Sequence, residues 1–435
     1  MSKLAIHGGP PVRTRKFPGH NFIGEEEKRA VLEVLDSGNL SQFVGSWCPD
    51  FFGGPKVRAF EAAWAADCGA KFAIAVNSNT SGLVAAVGAA GVAPGDEVLV
   101  PPYSMAASAT SIVAYGGIPV FCDIDPVTFC ISPAEIRRKI TPRTRAIMAV
   151  HLFGHPAEMD AIMAIAREHG LAVIEDAAQA PGAIYKGRPV GGLGGMTVFS
   201  LNYHKHIHTG EGGVITTDDP DLAERLQLIR NHGECVVAGK GVPRLANTLG
   251  FNLRPTEIMA AIGGEQLKKL PRLLDQRIRN ADYLSGRIGQ LPGLRAPVVQ
   301  PGCKHVYYVQ AFLFDESVVG IPRDVFVDAV AAELPLAEDR EWPLITAGYV
   351  RPLYLLPMYQ QKIAIGDQGW PFTLAADGGQ FDAGLCPVTE HVSTQLIGTE
   401  FMRPPCDLDD MRDIADAFTK VYENRDSLVN AASAR

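Results

Sequence analysis

The chain has 435 residues, 47% of them hydrophobic and 20% charged, with a formal net charge of -8. That length exceeds what one compact core usually holds, so one large and one small domain are expected. The acidic balance gives no basic stripe to track a phosphate backbone, which excludes nucleic acid as the expected partner. No apolar run reaches bilayer-spanning length and the first residues lack a signal peptide's apolar stretch, so a soluble cytoplasmic protein with no membrane partner is expected.

Residues 54–217 alternate amphipathic helix patterns with short apolar runs bounded by glycine, proline or aspartate, the rhythm of βα units. KVRAFEAAWAADCGA spaces Val57, Phe60 and Trp64 along one helical face, and KFAIAV follows as a strand. SGLVAAVGAAG then reads as a helix, EVLVPP as a strand, AASATSIVAYGG as a helix, IPVFCDID as a strand, PAEIRRKI as a helix and RAIMAV as a strand. AEMDAIMAIAREHG carries Met159, Ile162, Met163 and Ala166 at helical spacing with Gly170 as its stop, and LAVIEDA is the next strand. Continuous apolar strands suit a sheet buried on both faces, so an α/β fold with a doubly wound, mainly parallel sheet is expected.

Beyond residue 265 the rhythm changes. LPRLLDQRIRNADYLSGRIGQLPG places Leu270, Leu274, Ile278, Ala281 and Ile288 on a longer helix with Pro271 near its start, read as the connector to a smaller α+β domain. That domain includes VYYVQAFLF as a strand and DLDDMRDIADAFTKVYEN as a closing helix. The expected division is residues 1–265 for an N-terminal arm and large domain, and residues 266–435 for the small one. The eight cysteines, Cys48, Cys68, Cys122, Cys130, Cys235, Cys303, Cys386 and Cys406, are scattered without a C-x-x-C pair, which argues against a zinc cage or a disulfide framework.

In an open α/β sheet the ligand crevice lies beyond the carboxyl ends of the strands, so polar residues that follow apolar runs are the first candidates. AIAVNSNTSGL ends a strand in Asn77, Ser78, Asn79, Thr80 and Ser81, then opens a helix whose free N–H groups favour a phosphate; the cluster also reads as a plain N-cap. LAVIEDAAQAPGA ends a strand in Glu175 and Asp176, with Gln179 three residues on, and a carboxylate there suits a protonated ring nitrogen or a helix cap. TVFSLNYHKHIHTGEGGVITTDD sets Ser200 at the end of an apolar run, Lys205 five residues later and then a glycine-rich turn, although a loop lysine is commonly just solvated. LGFNLRPTEIMAAIGGEQL offers Asn252 and Arg254 ahead of a small-residue helix. An anion cradle, a carboxylate and an amine together are what an aldehyde cofactor with a phosphate and a pyridine ring requires, and that cofactor is pyridoxal 5'-phosphate.

Through NSNTSGL, VPPYSMAASATSIVAYGGIPVFCDID, VHLFGHPAEMDAI, VIEDAAQAPGA, SLNYHKHIHTGEGG, LGFNLRPTEIMAAIGGEQL and CPVTEHV, in that order, the chain resembles the DegT/StrS-type sugar aminotransferases, a branch of the fold type I pyridoxal-phosphate enzymes. The resemblance runs through most of the chain and implies an aspartate aminotransferase-like large domain that binds the cofactor. The family pattern is Ser, four residues, Lys, four residues, Gly-Glu-Gly-Gly, which Ser200, Lys205 and the run from Gly210 satisfy. By matched position, Lys205 is implied as the Schiff-base lysine, Asp176 as the partner of the pyridine nitrogen and Gln179 as the neighbour of the phenolic oxygen. Ser200, Thr80 and the backbone at Asn79 are implied as the phosphate site. Asn252 matches an asparagine that reaches the phosphate of the neighbouring subunit, which implies a homodimer with active sites at its interface. The resemblance further implies glutamate or glutamine as amino donor and a keto-sugar as acceptor, either nucleotide-linked or a cyclitol ketone. LAIHGGPPVR and RPLYLLPMY resemble the branch that aminates inosose-type cyclitols.

Two positions depart from the family pattern. Met105 in PPYSMAAS stands where an aromatic residue usually stacks on the cofactor ring, and can pack there through its polarizable sulfur. Asn79 stands where glycine is common and is expected to take a backbone geometry that glycine adopts freely. Three other readings compete. His204, His206 and His208 on a strand would share one face as zinc ligands, but their segment is a glycine-terminated loop with no matching carboxylate or cysteine motif. Relatives that dehydrate sugars carry histidine in the lysine slot, which a one-residue slip would fill with His204 or His206; the two fixed intervals oppose the slip. A non-enzymatic binding protein on the same fold is opposed by the intact Lys205, Asp176 and Ser200 set. The histidines are therefore expected to tune the charge of Lys205 or to touch substrate.

Overall fold

In the computed structural model, which describes residues 3–242, 245–375 and 378–432, an N-terminal arm leads into helix α1, Glu25–Ser37. Its three leading glutamates lie at the positive end of the helix dipole, and its last turn closes on Gly38 at φ 68°. Helix α2, Pro55–Cys68, starts on a proline whose missing N–H costs nothing there, and it buries Val57, Phe60 and Trp64 as their spacing predicts. Strands and helices then alternate as expected: β1 Phe72–Val76, α3 Asn79–Ala89, β2 Glu97–Val100, α4 Ala107–Ala114, β3 Ile118–Phe121, α5 Pro133–Lys139, β4 Thr144–Val150, α6 Met159–His169 and β5 Ala172–Asp176. Strands β6, Met196–Ser200, and β7, Gly213–Thr217, enclose the histidine-rich loop, and α7, Pro220–Arg230, follows.

Among the described residues these strands form a seven-stranded sheet in the order β1-β7-β6-β5-β4-β2-β3. Neighbours from β6 to β3 run parallel, while β7 runs antiparallel to both β6 and β1. Alternate side chains serve opposite cores. Ile147 and Ala149 of β4 join α2 and α6 on one face, and Ala146 and Met148 join α3 and α4 on the other. Helix α3 lies close on the sheet because Gly82 leaves it room: a Cβ there would come 2.6 Å from Val198 Cγ1.

A four-stranded antiparallel sheet forms the second layer system, in the order β8-β9-β11-β10, from Leu294–Arg295, Gln310–Phe314, Leu396–Thr399 and Ile345–Ala347 respectively. The sheets are joined by helix α8, Glu257–Ile288. The sequence pattern places Pro271 near the start of this helix, whereas the structure starts it fourteen residues earlier, with Thr256 Oγ1 accepting from Met259 N at 3.2 Å. The small-residue stretch MAAIGG and the leucine-rich stretch are one helix. The hydrogen bond that Pro271 cannot donate is outweighed by the buried run Leu267, Leu270, Leu273 and Leu274 on either side of it.

The border expected after residue 265 falls inside α8, and the chain crosses between the layers elsewhere too. Leu4 and Phe17 of the arm pack with the core around the small sheet, while Tyr354, Tyr359 and Phe381 pack against Phe121 of the large one. The expected strand VYYVQAFLF is shorter than read: it begins at Gln310, because Val306 N and Tyr308 N donate to Gly154 O at 3.1 Å and Phe153 O at 2.7 Å. Tyr307, at φ 48°, makes the bend. Among the described residues no helix is long and apolar enough to cross a membrane.

Beneath the ends of β4 and β5, His151 and Glu175 form a fully buried pair. His151 Nδ1 accepts from Ala157 N at 3.0 Å, so Nε2 carries the proton and donates to Glu175 Oε2 at 3.0 Å, while Glu175 Oε1 accepts from Thr197 Oγ1 at 2.8 Å. Replacing His151 with alanine strands the carboxylate, and a loss of about 3 kcal/mol is expected. A lowered urea midpoint for His151→Ala, followed by far-UV circular dichroism, is the expected result; an unchanged midpoint contradicts it.

Candidate active site

Several strand ends converge on one cavity of about 260 Å³, far more than the ~30 Å³ share of a single water. Asn79 and Thr80 come to it from the end of β1, and Asp176 and Gln179 from the end of β5. The end of β6 delivers Ser200 and, five residues on, Lys205. Met105 follows β2 and sits at the rim, 54% exposed. Asn252 is not brought to this cavity: it is exposed, pairs with Asn231, and its Oδ1 accepts from Arg254 Nε at 2.8 Å.

Helix α3 begins at the cavity wall. Ser78 caps it, with Oγ accepting from Ser81 N at 3.1 Å and its carbonyl from Gly82 N at 3.0 Å. The N–H groups of Asn79 and Thr80 find no acceptor among the described residues, so they and Ser200 Oγ can receive an anion at the positive end of the dipole. Asn79 does not take the glycine-like geometry expected of it. It is the first residue of α3, outside the left-handed region, and its buried Nδ2 donates to Val198 O at 3.1 Å. The close approach is made by Gly213 instead, where a Cβ would come 2.7 Å from the carbonyl carbon of Ser78.

Asp176 is 5% exposed and held from α4: Oδ2 accepts from Ser108 Oγ at 2.7 Å, and Ser108 Oγ pairs with Ser104 Oγ at 2.8 Å. Its Oδ1 accepts from Ala178 N at 3.2 Å. Such a fixed, buried carboxylate suits a cationic ring N–H. Gln179 Oε1 accepts from Phe153 N at 2.6 Å and Nε2 donates to Tyr349 OH at 2.9 Å, which leaves the second Nε2 hydrogen for a ligand oxygen.

Lys205 is 7% exposed, with Nζ 4.2 Å from the centre of the Tyr308 ring. Burial lowers its amine to about 8, against the opposing negative charges of Asp176 and Glu400. The three alternating histidines do not converge, because their segment is a turn and not a strand. His206 is buried with Nε2 3.0 Å from Val306 O, His208 Nδ1 accepts from Gly210 N at 3.3 Å, and His204 lines the cavity. Burial brings His204 down to about 4, so it is a neutral hydrogen-bonding group at pH 7. Residues that the sequence motifs did not single out include Tyr308, Ser108 and Glu400. The helical spacing of Ser104 and Ser108 was the available signal for one of them, whereas Tyr308 and Glu400 arrive from distant segments.

Residues 21–373 match the model of the DegT/DnrJ/EryC1/StrS aminotransferase family. An L-glutamine:scyllo-inosose aminotransferase of Streptomyces griseus is 35% identical over 435 residues, spanning 97% of this chain and 98% of its own. A GDP-perosamine synthase of Caulobacter vibrioides is 40% identical over 334 residues, 77% of this chain and 84% of its own. The crystal structure of DesI in the presence of its TDP-sugar product superposes with a TM-score of 0.81 at 28% identity, over 99% of both chains. With an anion cradle, a buried carboxylate and a buried amine in one cavity, the chain belongs to the DegT/DnrJ/EryC1/StrS aminotransferase family and is a fold type I aminotransferase that depends on pyridoxal phosphate.

Proposed function

We propose that the protein moves an amino group from L-glutamine to the ketone of an inosose-type cyclitol, in aminocyclitol biosynthesis. The observation that carries this reading is a buried amine, Lys205, brought to about 8 and sharing one cavity with Asp176 and the N–H groups that open α3. Asn79, Thr80 and Ser200 would hold the cofactor's phosphate, Asp176 its ring nitrogen, Gln179 its phenolic oxygen and Lys205 its aldehyde. When bound, pyridoxal phosphate supplies an aldehyde that condenses with amines and a protonated ring that withdraws electrons. Lys205 Nζ would take the proton from the donor carbon as a general base and return one to the acceptor carbon as an acid. Asp176, fixed by Ser108, would keep a proton on the cofactor's ring nitrogen. Neutral His204, Asn202 and the Glu211 carboxylate line the same space. That lining suits the hydroxyl groups of a polyol better than a diphosphate, and the match to the inosose enzyme spans nearly the whole chain.

A homodimer is part of the proposal, with Asn252 serving the partner's cavity in place of its own. Trp47, Leu249 and Phe251 are exposed on the segments beside it, apolar surface that a second copy would cover. The eight unpaired cysteines support a reducing, cytoplasmic setting.

Borohydride treatment of the purified protein should leave a pyridoxyl group on Lys205 and nowhere else, by peptide mass mapping. Cofactor capture by the stripped protein should speed up as pH rises through about 8, because only the neutral amine attacks and burial lowers the pH at which it appears. Lys205→Ala should lose at least about a thousandfold in turnover. An adduct elsewhere ends the assignment. With L-glutamine as donor, scyllo-inosose or a deoxy-inosose should be aminated faster than any nucleotide-linked keto-sugar, measured by mass spectrometry of the product; the reverse order would move the acceptor to the nucleotide-sugar class. Sedimentation should give twice the chain mass, and a fully active single-chain species would refute the shared site.

A further inference from the structure

The N-terminal arm is threaded between the small sheet's layer and the loop that carries Lys205. Phe17 is fully buried; its N donates to Leu336 O at 3.3 Å and its carbonyl accepts from Glu338 N at 2.9 Å. His20 N donates to Asp339 Oδ2 at 2.8 Å. Two residues on, the Phe22 carbonyl accepts from Gln266 Nε2 at 3.3 Å and Lys269 Nζ at 2.9 Å, both on α8. Between these anchors the His20 ring, 8% exposed, lies against the backbone of the reactive lysine. Its Nε2 is 3.1 Å from Lys205 O and its Nδ1 is 2.9 Å from Pro404 O.

Both oxygens are carbonyls, which accept only, and a neutral ring has a single N–H, so the ring donates to one of them; with its hydrogen on Nε2 that one is Lys205 O. Lys205 N already donates to Asn202 O at 2.9 Å, and His206 Nε2 meets Val306 O at 3.0 Å. The turn is thus fastened on both sides of the lysine's Cα, and His20 supplies the fastening at its carbonyl. A lysine aims its amine from its backbone. A shift of the carbonyl rotates the peptide plane beneath a side chain that must place Nζ over Tyr308 and inside the cavity.

We propose that His20, with its hydrogen on Nε2, is a positioning residue for Lys205: it fixes the carbonyl, and so the backbone, of the reactive lysine. It acts through Lys205, so the proposal rests on the role given to that amine above.

The rival role is an anchor for the arm alone, and two substitutions separate them. His20→Gln places an amide N–H near the Nε2 position, toward Lys205; His20→Asn places one near the Nδ1 position, toward Pro404. Two readouts apply to the full-length protein as purified: amide hydrogen exchange in residues 201–209 against residues 213–217 as internal reference, and the pH midpoint of the lysine-bound cofactor's visible band. With His20→Asn, exchange in 201–209 should rise about fivefold and the midpoint should move, while His20→Gln stays within about twofold of the parent, the scale of one hydrogen bond lost or kept. If the two variants are indistinguishable in both readouts, whether both intact or both impaired, His20 is only an anchor. The exchange contrast does not need the cofactor, so it still decides the question for His20 if the pyridoxyl adduct is not found on Lys205.

Discussion

Burying one amine is the constraint around which the cavity is built. Removing the Lys205 ammonium from water favours its neutral form, and the Tyr308 ring, Asp176 and Glu400 oppose that pull. Glu400 is in turn held by Arg340 Nη2 at 2.9 Å and Arg403 Nη1 at 3.3 Å, so its charge is shared before it reaches the lysine. The balance leaves the amine able to exist in both protonation states near neutral pH. Tyr308 and Glu400 both come from beyond α8, which explains why the two layer systems are interleaved. The left-handed bend at Tyr307 and the hydrogen bonds of residues 306 and 308 to 153 and 154 bring the aromatic ring to the lysine.

Strand β5 shows how narrowly the chemistry depends on register. Glu175 and Asp176 are adjacent carboxylates at one strand end, and alternation sends them to different tasks. Glu175 is locked beneath the sheet end by His151 and Thr197, and Asp176 reaches the cavity wall, where the serines after β2 hold it. A slip of one residue would exchange the structural carboxylate with the one at the cavity wall.

The first half of the fold was legible because its elements carry local signals: Pro55 at a helix start, Gly170 at φ 64° at a helix end, and strands apolar on both faces. The cavity residues that follow those strands were legible for the same reason, since the fold dictates where strand ends point. What the sequence could not show depends on contacts between distant segments. Pro271 reads locally as a helix start, and only tertiary packing of the leucines around it shows that the helix runs straight through. Tyr308 lies in an apolar run that reads as strand until the bonds to Gly154 and Phe153 pull it out of the ladder. For Asn79, a glycine-like backbone was inferred from position alone. The space is made by Gly213 on the neighbouring strand, 134 residues away in the chain but paired with Val76 in the sheet.

The histidines beside the lysine follow from the same constraint. A protonated imidazole next to Lys205 would depress its amine further and add charge where two arginines already share a carboxylate. Burial prevents this: His204 is brought down to about 4, His20 to about 3, and His206 and His208 are also lowered. Neutral rings give the loop hydrogen-bonding groups without cations, so the charge state of Lys205 is left to burial and the carboxylates that oppose it. Their alternation in the sequence suggested a shared face. In the folded turn they face different neighbours, His206 toward Val306, His208 toward Gly210 and His204 toward the cavity, and the lysine is the side chain that the turn sets over Tyr308.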